Sequence, residues 1–316
     1  PPLLGAPRGV LLPAPRHPAH PPPGGGAGGP ANDAFSGYGS VAYNYFISKY
    51  ETTNLEYAEF LNAVAATDTN ALYDLNMQFS YGGITRSGNS GSYTYSVIAG
   101  REDLPVTYIS FYDAMRFVNW LDNGQPTGAQ DNTTTEDGAY TITPAGIAAN
   151  SITRNPGAMV FLPTEDEWCK AAYYDVGADD YYFYPASSDL PPVCDLPGST
   201  PNTANCGRAV DNVTFVGSYT RSSSPNGTFD QAGNVTEWNE RIYLGGRGSR
   251  GGGFTGDQVS QGVLSSNYLS TTSAGAATGF RVAAAVPEPG TGTGLLMAVG
   301  FLSLLCRNRV LTSSLC

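Results

Sequence analysis

The sequence predicts an α+β domain with little regular secondary structure and long irregular loops. Three segments carry helix-start signals, and short strand-like runs occur at residues 42–50, 106–109, 159–162 and 280–284. Between these segments the chain is rich in Gly, Asn, Ser and Thr, which favour turns over regular elements. This mixture of helices, short strands and polar loops indicates an α+β domain.

Each predicted helix begins with a capping box or a close variant of one. Residues 53–56 (TNLE) open the first helix, and apolar side chains at helical spacing carry it to about Ala66. Residues 110–113 (SFYD) open the second helix, which ends at Asn123-Gly124. Residues 164–167 (TEDE) begin the third directly after Pro163, which fixes the entry of the chain.

The two ends of the chain differ in composition from its middle. Residues 1–30 contain runs of Pro and Gly without the apolar periodicity of a packed element, and we expect a disordered leader in which no signal peptide is visible. Residues 31–285 form the expected domain, and residues 286–316 form a separate tail.

The tail has the layout of a short membrane segment followed by basic residues. Residues 290–306 are small or apolar apart from two threonines and a serine, and Arg307 and Arg309 follow them. Seventeen residues in a helix span about 25 Å, which is marginal for a bilayer core about 30 Å thick. A short span before arginines is typical of a sorting tail that halts in the inner membrane, and an ordinary membrane anchor is the alternative.

The domain is acidic and has no histidine. Acidic residues outnumber basic ones by 26 to 12 between residues 31 and 285, so the surface repels nucleic acid and anionic lipid and attracts cations. We therefore expect no nucleic-acid partner, and contact with a membrane only through the tail. Both histidines, His17 and His20, lie in the leader, which excludes histidine-dependent triads and histidine-ligated metal sites from the domain.

Three cysteines lie in the domain. Cys194 and Cys206 flank a loop rich in Pro, Asn and Asp, where a disulfide would suit an exported protein and two unpaired thiols are the alternative. Cys169 lies beside Trp168 on the third predicted helix, where we expect it to pack as a small apolar side chain.

Six short motifs occur along the domain in a characteristic order. Together they resemble the formylglycine-generating enzyme, or sulfatase-modifying factor, family over about residues 43–284. The motifs are ISKYETTN (47–54), LPV (104–106), LPTEDEW (162–168), GNVTEW (233–238), RGGGF (250–254) and GFRVA (279–283). The resemblance implies the formylglycine-generating-enzyme fold, a variant of the C-type lectin fold.

The tail resembles the PEP-CTERM sorting tail of Gram-negative bacteria. The resemblance rests on Pro287, Glu288 and Pro289, together with the apolar span and the arginines that follow. It implies processing by an exosortase. It also implies that the protein is exported to the cell envelope or beyond it, and is first held in the inner membrane by its tail.

The resemblance bears on catalysis through copper. Formylglycine-generating enzymes oxidise a cysteine of a client sulfatase with oxygen and copper, and two cysteines shortly after the RGG motif hold the metal. Here Gly256 and Gln261 occupy those positions, and no cysteine lies between Cys206 and Cys306. Copper(I) prefers soft thiolate ligands, which neither residue supplies, so we expect no copper cofactor and no catalysis by the family's route.

The resemblance also implies a calcium cofactor. In the family the turn before the GNxxEW motif binds Ca²⁺ through one side chain and several backbone carbonyls, and the matching residues are Asp230, Gln231, Gly233 and Val235. Oxygen donors on an irregular loop suit Ca²⁺. Asn205 and Asp211 are candidates for a second calcium site of the family. The alternative for both sets is that these residues only form turns.

These observations favour an exported, non-catalytic module, stabilised by calcium, that binds a glycan or a protein at its surface. Two alternatives remain open. One is a divergent formylglycine-generating oxidase that acts on a sulfatase cysteine. The other is a structural component of the envelope or matrix that its tail retains.

Overall fold

The computed structural model describes residues 9–12 and 38–286. Its helices are α1 Asn54–Val64, α2 Phe111–Asp122, α3 Pro144–Ala149 and α4 Glu165–Tyr173. Its strands are β1 Gly9–Leu12, β2 Tyr45–Ser48, β3 Ile84–Ser87, β4 Thr94–Val97, β5 Val160–Phe161, β6 Tyr174–Asp175, β7 Asp180–Tyr181, β8 Val193–Cys194, β9 Thr203–Ala204, β10 Thr236–Tyr243, β11 Gly246–Arg250, β12 Asn267–Leu269, β13 Thr278–Gly279 and β14 Ala283–Ala285. Most strands are short, and the predicted α+β class is confirmed.

The described strands form two four-stranded sheets and three strand pairs. The first sheet has the order β1-β2-β14-β5, and the second has the order β12-β11-β10-β13. Strand β10 pairs antiparallel with β11 and parallel with β13, and a register shift between Trp238 and Ile242 interrupts its pairing with β11. The turn at residues 230–235 leads directly into β10, so the second sheet positions the candidate site described below.

Three of the helices begin at the predicted capping boxes. At α1 the hydroxyl of Thr53 accepts a hydrogen bond from the N–H of Glu56, and the Glu56 carboxylate accepts one of 2.8 Å from the N–H of Thr53. The same reciprocal pair of bonds occurs at α2 and α4, so these helix starts are confirmed. Helix α3 is absent from the sequence-based prediction; it begins after Thr143 and ends at Asn150, whose backbone is left-handed.

The main core lies between the first sheet and helices α1 and α2. Phe117 of α2 contacts Tyr57 and Phe60 of α1 and Phe280 before β14, with ring centroids 5.3–5.9 Å apart. Burial of each such ring contributes about 2 kcal/mol of hydrophobic stabilisation. A second cluster surrounds Trp168 of α4 and lies on the side of the domain that carries the candidate site.

Two segments differ from the sequence-based expectation. Residues 9–12, which the composition places in the disordered leader, form β1, pair antiparallel with β2 and bury Leu12 completely. The open edge of β2 accepts this apolar run because its backbone groups are otherwise unpaired on that side. Residues 106–109 form no strand, since Tyr108 has a φ of 60° and the N–H of Val106 donates to Thr52 in a loop.

The cysteines follow one of the two predicted alternatives. Cys194 and Cys206 form a disulfide, with their Cα atoms 4.8 Å apart, and Cys169 is a buried free thiol in the cluster around Trp168. The leader apart from residues 9–12, and the sorting residues with the rest of the tail, lie outside the described residues. Within the described residues every helix is too short or too polar to span a bilayer.

The capping carboxylate of α2 makes the stability of the fold depend on pH. Asp113 is buried, and burial raises its pKa to about 7. The folded state therefore keeps a proton that the unfolded state releases at about pH 4, so the stability this group contributes is complete below about pH 4 and is lost as the pH rises through about 7.

We expect Asp113→Asn, which retains an oxygen for the N–H of Ser110 but does not titrate, to flatten this dependence. The slope of the unfolding free energy between about pH 4 and pH 7 should become less negative by up to about 1.4 kcal/mol per pH unit. Urea unfolding at several pH values measures the slope. Parallel curves for the variant and the wild type would contradict the assignment.

Candidate functional site

The turn at residues 230–235 has a backbone conformation that few residue types adopt. Asp230, Gly233 and Asn234 have φ angles of 63°, 85° and 56°. Gly, Asn and Asp tolerate this left-handed region better than other residues, so the composition of the turn fits its backbone. Gly233 is also required by packing, because a Cβ there would overlap the carbonyl oxygen of Asn205.

The carboxylate of Asp230 is buried at the start of this turn. Only 7% of the residue is exposed, and Oδ2 accepts a hydrogen bond of 2.6 Å from the N–H of Gly217. Burial raises the pKa of Asp230 to about 6, although the Gly217 N–H and the charge of Arg281 favour the ionised form. A carboxylate in this position is available to a cation but poorly hydrated.

A second buried carboxylate, Glu51, reaches the same turn from the chain that follows β2. Its Oε2 accepts a hydrogen bond of 2.6 Å from Nδ2 of Asn234, and its Oε1 accepts one of 3.1 Å from the N–H of Val235. Burial raises the pKa of Glu51 well above its usual range, and the charges of Asp230 and Glu237 raise it further. The sequence-based reasoning missed Glu51; an acidic residue three positions after a buried strand was the available signal.

The surroundings of the turn contain more negative than positive charge. Arg281 is fully buried and forms a two-bond ion pair with Glu237, in which the Nε–Oε2 and Nη2–Oε1 distances are both 2.6 Å. Glu237 thus neutralises the guanidinium, and neither Glu51 nor Asp230 has an ion-pair partner among the described residues. Two buried acidic side chains without a direct ion-pair partner in the described residues favour the binding of a divalent cation.

Backbone carbonyls of the turn supply further oxygen donors. The carbonyl oxygens of Gln231 and Val235 each lie 3.4 Å from the point that a Cβ on Gly251 would occupy, so the two oxygens converge beside the RGG motif. Within the described residues, no backbone hydrogen bond reaches the carbonyl of Gln231 or Val235, whereas Gly233 forms parallel bridges with Asn205 and Gly252. These residues fit Ca²⁺, which takes hard oxygen ligands in a flexible arrangement.

Side chains alone do not complete such a site. The described part of the chain contains no group of three or more His, Cys, Asp or Glu residues placed to hold a metal ion. A calcium site at the turn therefore depends on backbone oxygens as well as on Asp230 and Glu51. Bound calcium would supply charge neutralisation there and would hold the turn against its neighbours.

The structure places the two candidates for a second calcium site differently. Asn205 is buried against the turn, where its Nδ2 donates to Oδ1 of Asn234 at 3.1 Å and its own Oδ1 has no hydrogen-bond partner within the described residues. Asp211 is on the surface, where it forms an ion pair of 2.6 Å with Arg208. Asn205 therefore belongs to the surroundings of the turn, and Asp211 is engaged elsewhere.

The positions that match the copper ligands of the family are packed without thiols. A Cβ on Gly256 would overlap the carbonyl oxygen of Gly252, so even a cysteine would require the backbone to move. Gln261 is fully buried, and its Nε2 donates to the carbonyl of Asp257 at 3.2 Å. The free cysteine of the described residues, Cys169, is buried, and burial raises the pKa of its thiol.

A cavity of about 300 Å³ lies beside this segment. Its lining is largely apolar and aromatic and includes Phe183, Tyr184, Val259, Leu264 and Ser265. A hydrogen bond of 2.8 Å from the N–H of Val263 to the carbonyl of Phe183 joins its two sides. This volume lies at the lower end of the range of small-ligand sites.

Comparison with protein families assigns the domain. Residues 38–286 match the sulfatase-modifying factor enzyme 1-like domain. The chain belongs to this family. Residues 285–310 match the PEP-CTERM protein-sorting motif, which marks the sulfatase-modifying factor domain as part of an exported protein of the cell envelope and is consistent with processing by an exosortase. Both predicted resemblances are confirmed.

Solved structures of this fold align with most of the chain. CarF is 19% identical, with a TM-score of 0.51, over 87% of this chain and 97% of that one. Variable protein 1 of Treponema denticola is 18% identical, with a TM-score of 0.52, over 87% and 94%. PvdO from Pseudomonas aeruginosa is 18% identical, with a TM-score of 0.53, over 89% and 95%. These identities show the fold alone, which confirms the predicted fold class, and a comparison with curated proteins gives no match.

Proposed function

We propose that the protein is an exported, non-catalytic sulfatase-modifying factor-like module that calcium stabilises and that binds a ligand at its surface. One contrast carries the proposal. The turn and Glu51 beside it supply two buried carboxylates, and the carbonyls of Gln231 and Val235 accept no backbone hydrogen bond in the described residues, whereas the copper-ligand positions hold Gly256 and Gln261. Oxygen donors are thus present where the family binds calcium, and thiolates are missing where it binds copper.

The remaining sulfur atoms support the same conclusion. Copper(I) in this family requires two soft thiolates close together. In the described residues Cys194 and Cys206 are joined to each other, and the buried thiol of Cys169 has a raised pKa that keeps it protonated. Cys169 alone is therefore a poor substitute for the family's pair of ligands.

The cavity beside residues 256–261 is the proposed ligand site of the module. Its aromatic wall, formed by Phe183 and Tyr184, suits the apolar face of a sugar ring or of a protein side chain. Val259 at its rim is 69% exposed, which makes the wall accessible from solvent. The sorting tail would first attach the module to the inner membrane. The module would then present this site in the envelope or outside the cell.

An oxidation assay tests the non-catalytic part of the proposal. Purified protein, loaded with copper and supplied with oxygen and a sulfatase-derived cysteine peptide, should produce no formylglycine detectable by mass spectrometry. A copper-loaded formylglycine-generating enzyme serves as the positive control. Metal analysis of the same sample should find calcium and less than stoichiometric copper. Conversion of the peptide would establish the oxidase alternative instead.

A glycan array separates the binding module from the structural alternative. We expect calcium-loaded protein to bind a defined set of glycans, and Tyr184→Ala to weaken that binding at least tenfold because the cavity loses one aromatic wall. Tyr268→Ala, which removes an exposed ring that does not line the cavity, is the matched control. Absence of any glycan or protein ligand would leave the structural role as the better description.

A further inference from the structure

The segment at residues 205–208 forms hydrogen bonds with two neighbours. One is the turn at residues 230–235, and the other is the chain at residues 254–256, which includes the copper-ligand position Gly256. On one side the carbonyl of Asn205 accepts a hydrogen bond of 2.9 Å from the N–H of Asn234. On the other side the N–H of Gly207 donates to the carbonyl of Gly256 at 2.7 Å, and the N–H of Arg208 donates to the carbonyl of Phe254 at 2.9 Å. Movement of this segment would therefore release one wall of the turn.

The disulfide adds a covalent restraint to the hydrogen bonds that hold this segment. Cys206 lies within it and is fully buried, and its partner Cys194 ends β8. The adjoining pair β8–β9 contains only two residue pairs. The chain around Cys194 buries little apolar surface, because Leu190, Val193 and Leu196 are 71%, 54% and 64% exposed. Segments with few buried apolar contacts open locally at low cost in free energy.

We propose that the Cys194–Cys206 disulfide couples the redox state of the protein to calcium affinity at the turn. This inference rests on the calcium site of the proposed function. With the disulfide closed, residues 205–208 stay attached to the turn, and its oxygen donors are preorganised. With the disulfide open, the segment detaches in part of the population. The apparent Kd for calcium then rises by the inverse of the fraction that remains attached.

The coupling must act in both directions. If closing the disulfide strengthens calcium binding, bound calcium makes the disulfide harder to reduce by the same factor. Dithiothreitol provides a balanced test reaction. The reagent gives two electrons and two protons to the disulfide, which becomes two thiols, while the reagent becomes its cyclic disulfide.

Calcium titration of the oxidised and reduced protein tests the proposal. We expect the Kd of the reduced protein to be about tenfold higher, which corresponds to detachment in about nine-tenths of the calcium-free population. The variant with Cys194→Ser and Cys206→Ser should match the reduced protein. Asp211→Ala removes the exposed ion pair of Arg208 but none of the backbone bonds, and should leave both Kd values unchanged.

A second measurement does not depend on the reduced protein staying folded. The equilibrium between wild-type protein and dithiothreitol should shift about tenfold towards the disulfide at saturating calcium, compared with magnesium at the same ionic strength. Equal calcium affinities in the two redox states, or no effect of calcium on reduction, would overturn the coupling. Absence of calcium binding by the oxidised protein would overturn the proposed calcium site itself.

Discussion

Calcium should raise the melting temperature of the oxidised wild-type protein by about 5–10 °C at a concentration about 100 times its Kd. Binding to the folded state alone contributes about 2.7 kcal/mol at that ratio, and for a domain of this size each kcal/mol shifts the melting temperature by about 2–4 °C. The physical source is the positive charge of Ca²⁺ beside Glu51 and Asp230, which are buried without an ion-pair partner in the described residues. Differential scanning calorimetry with calcium and with chelator measures the shift.

Asp230→Ala should abolish this rise, and Glu51→Gln should reduce it by at least half. Asp211→Ala is a matched control, because Asp211 and Asp230 have φ angles of 56° and 63° and so lose a similar backbone preference on substitution. Asp211 is paired with Arg208 on the surface, and its substitution should leave the calcium response intact. An undiminished response in Asp230→Ala would refute the site.

Glu165→Gln should lower the unfolding free energy by about 3–5 kcal/mol, because it leaves a buried guanidinium without its counter-charge. Nε of Arg250 donates to Glu165 at 2.6 Å, and the side chains of the two residues are 0% and 5% exposed. Arg250 also donates to the carbonyls of Val263 and Ser265, which line the cavity. The substitution should therefore destabilise the cavity together with the contact between α4 and β11.

Urea unfolding of the variant and of a surface control measures this effect. Asp211→Asn breaks the ion pair between Asp211 and Arg208. The side chain of Arg208 is 59% exposed and that of Asp211 is 56% exposed, and such exposed pairs contribute about 0–1 kcal/mol to the unfolding free energy. We expect the two variants to differ by at least about 2 kcal/mol. Similar losses for both would show that burial of the Arg250 pair has no special energetic role.

Local patterns predicted the elements that local interactions stabilise. The helix starts at Thr53, Ser110 and Thr164 were predictable because a capping box is closed by residues three apart. The sequence singles out Asp230 because it lies just ahead of the short contiguous motif GNVTEW (233–238), and its role as a calcium ligand stays a prediction. The strand at residues 106–109 was wrongly predicted, because apolar composition does not reveal the positive φ of Tyr108.

The sequence by itself determined the family, the sorting tail and the replacement of the two copper-ligand residues by Gly256 and Gln261. Tertiary structure decided which distant residues meet. It brought Glu51 to Asn234 across 183 residues, closed the disulfide between Cys194 and Cys206, and directed Asp211 to the surface. The physical reason is that buried charges and strand edges are satisfied by whatever partner the folded chain brings near, and sequence spacing does not encode that proximity.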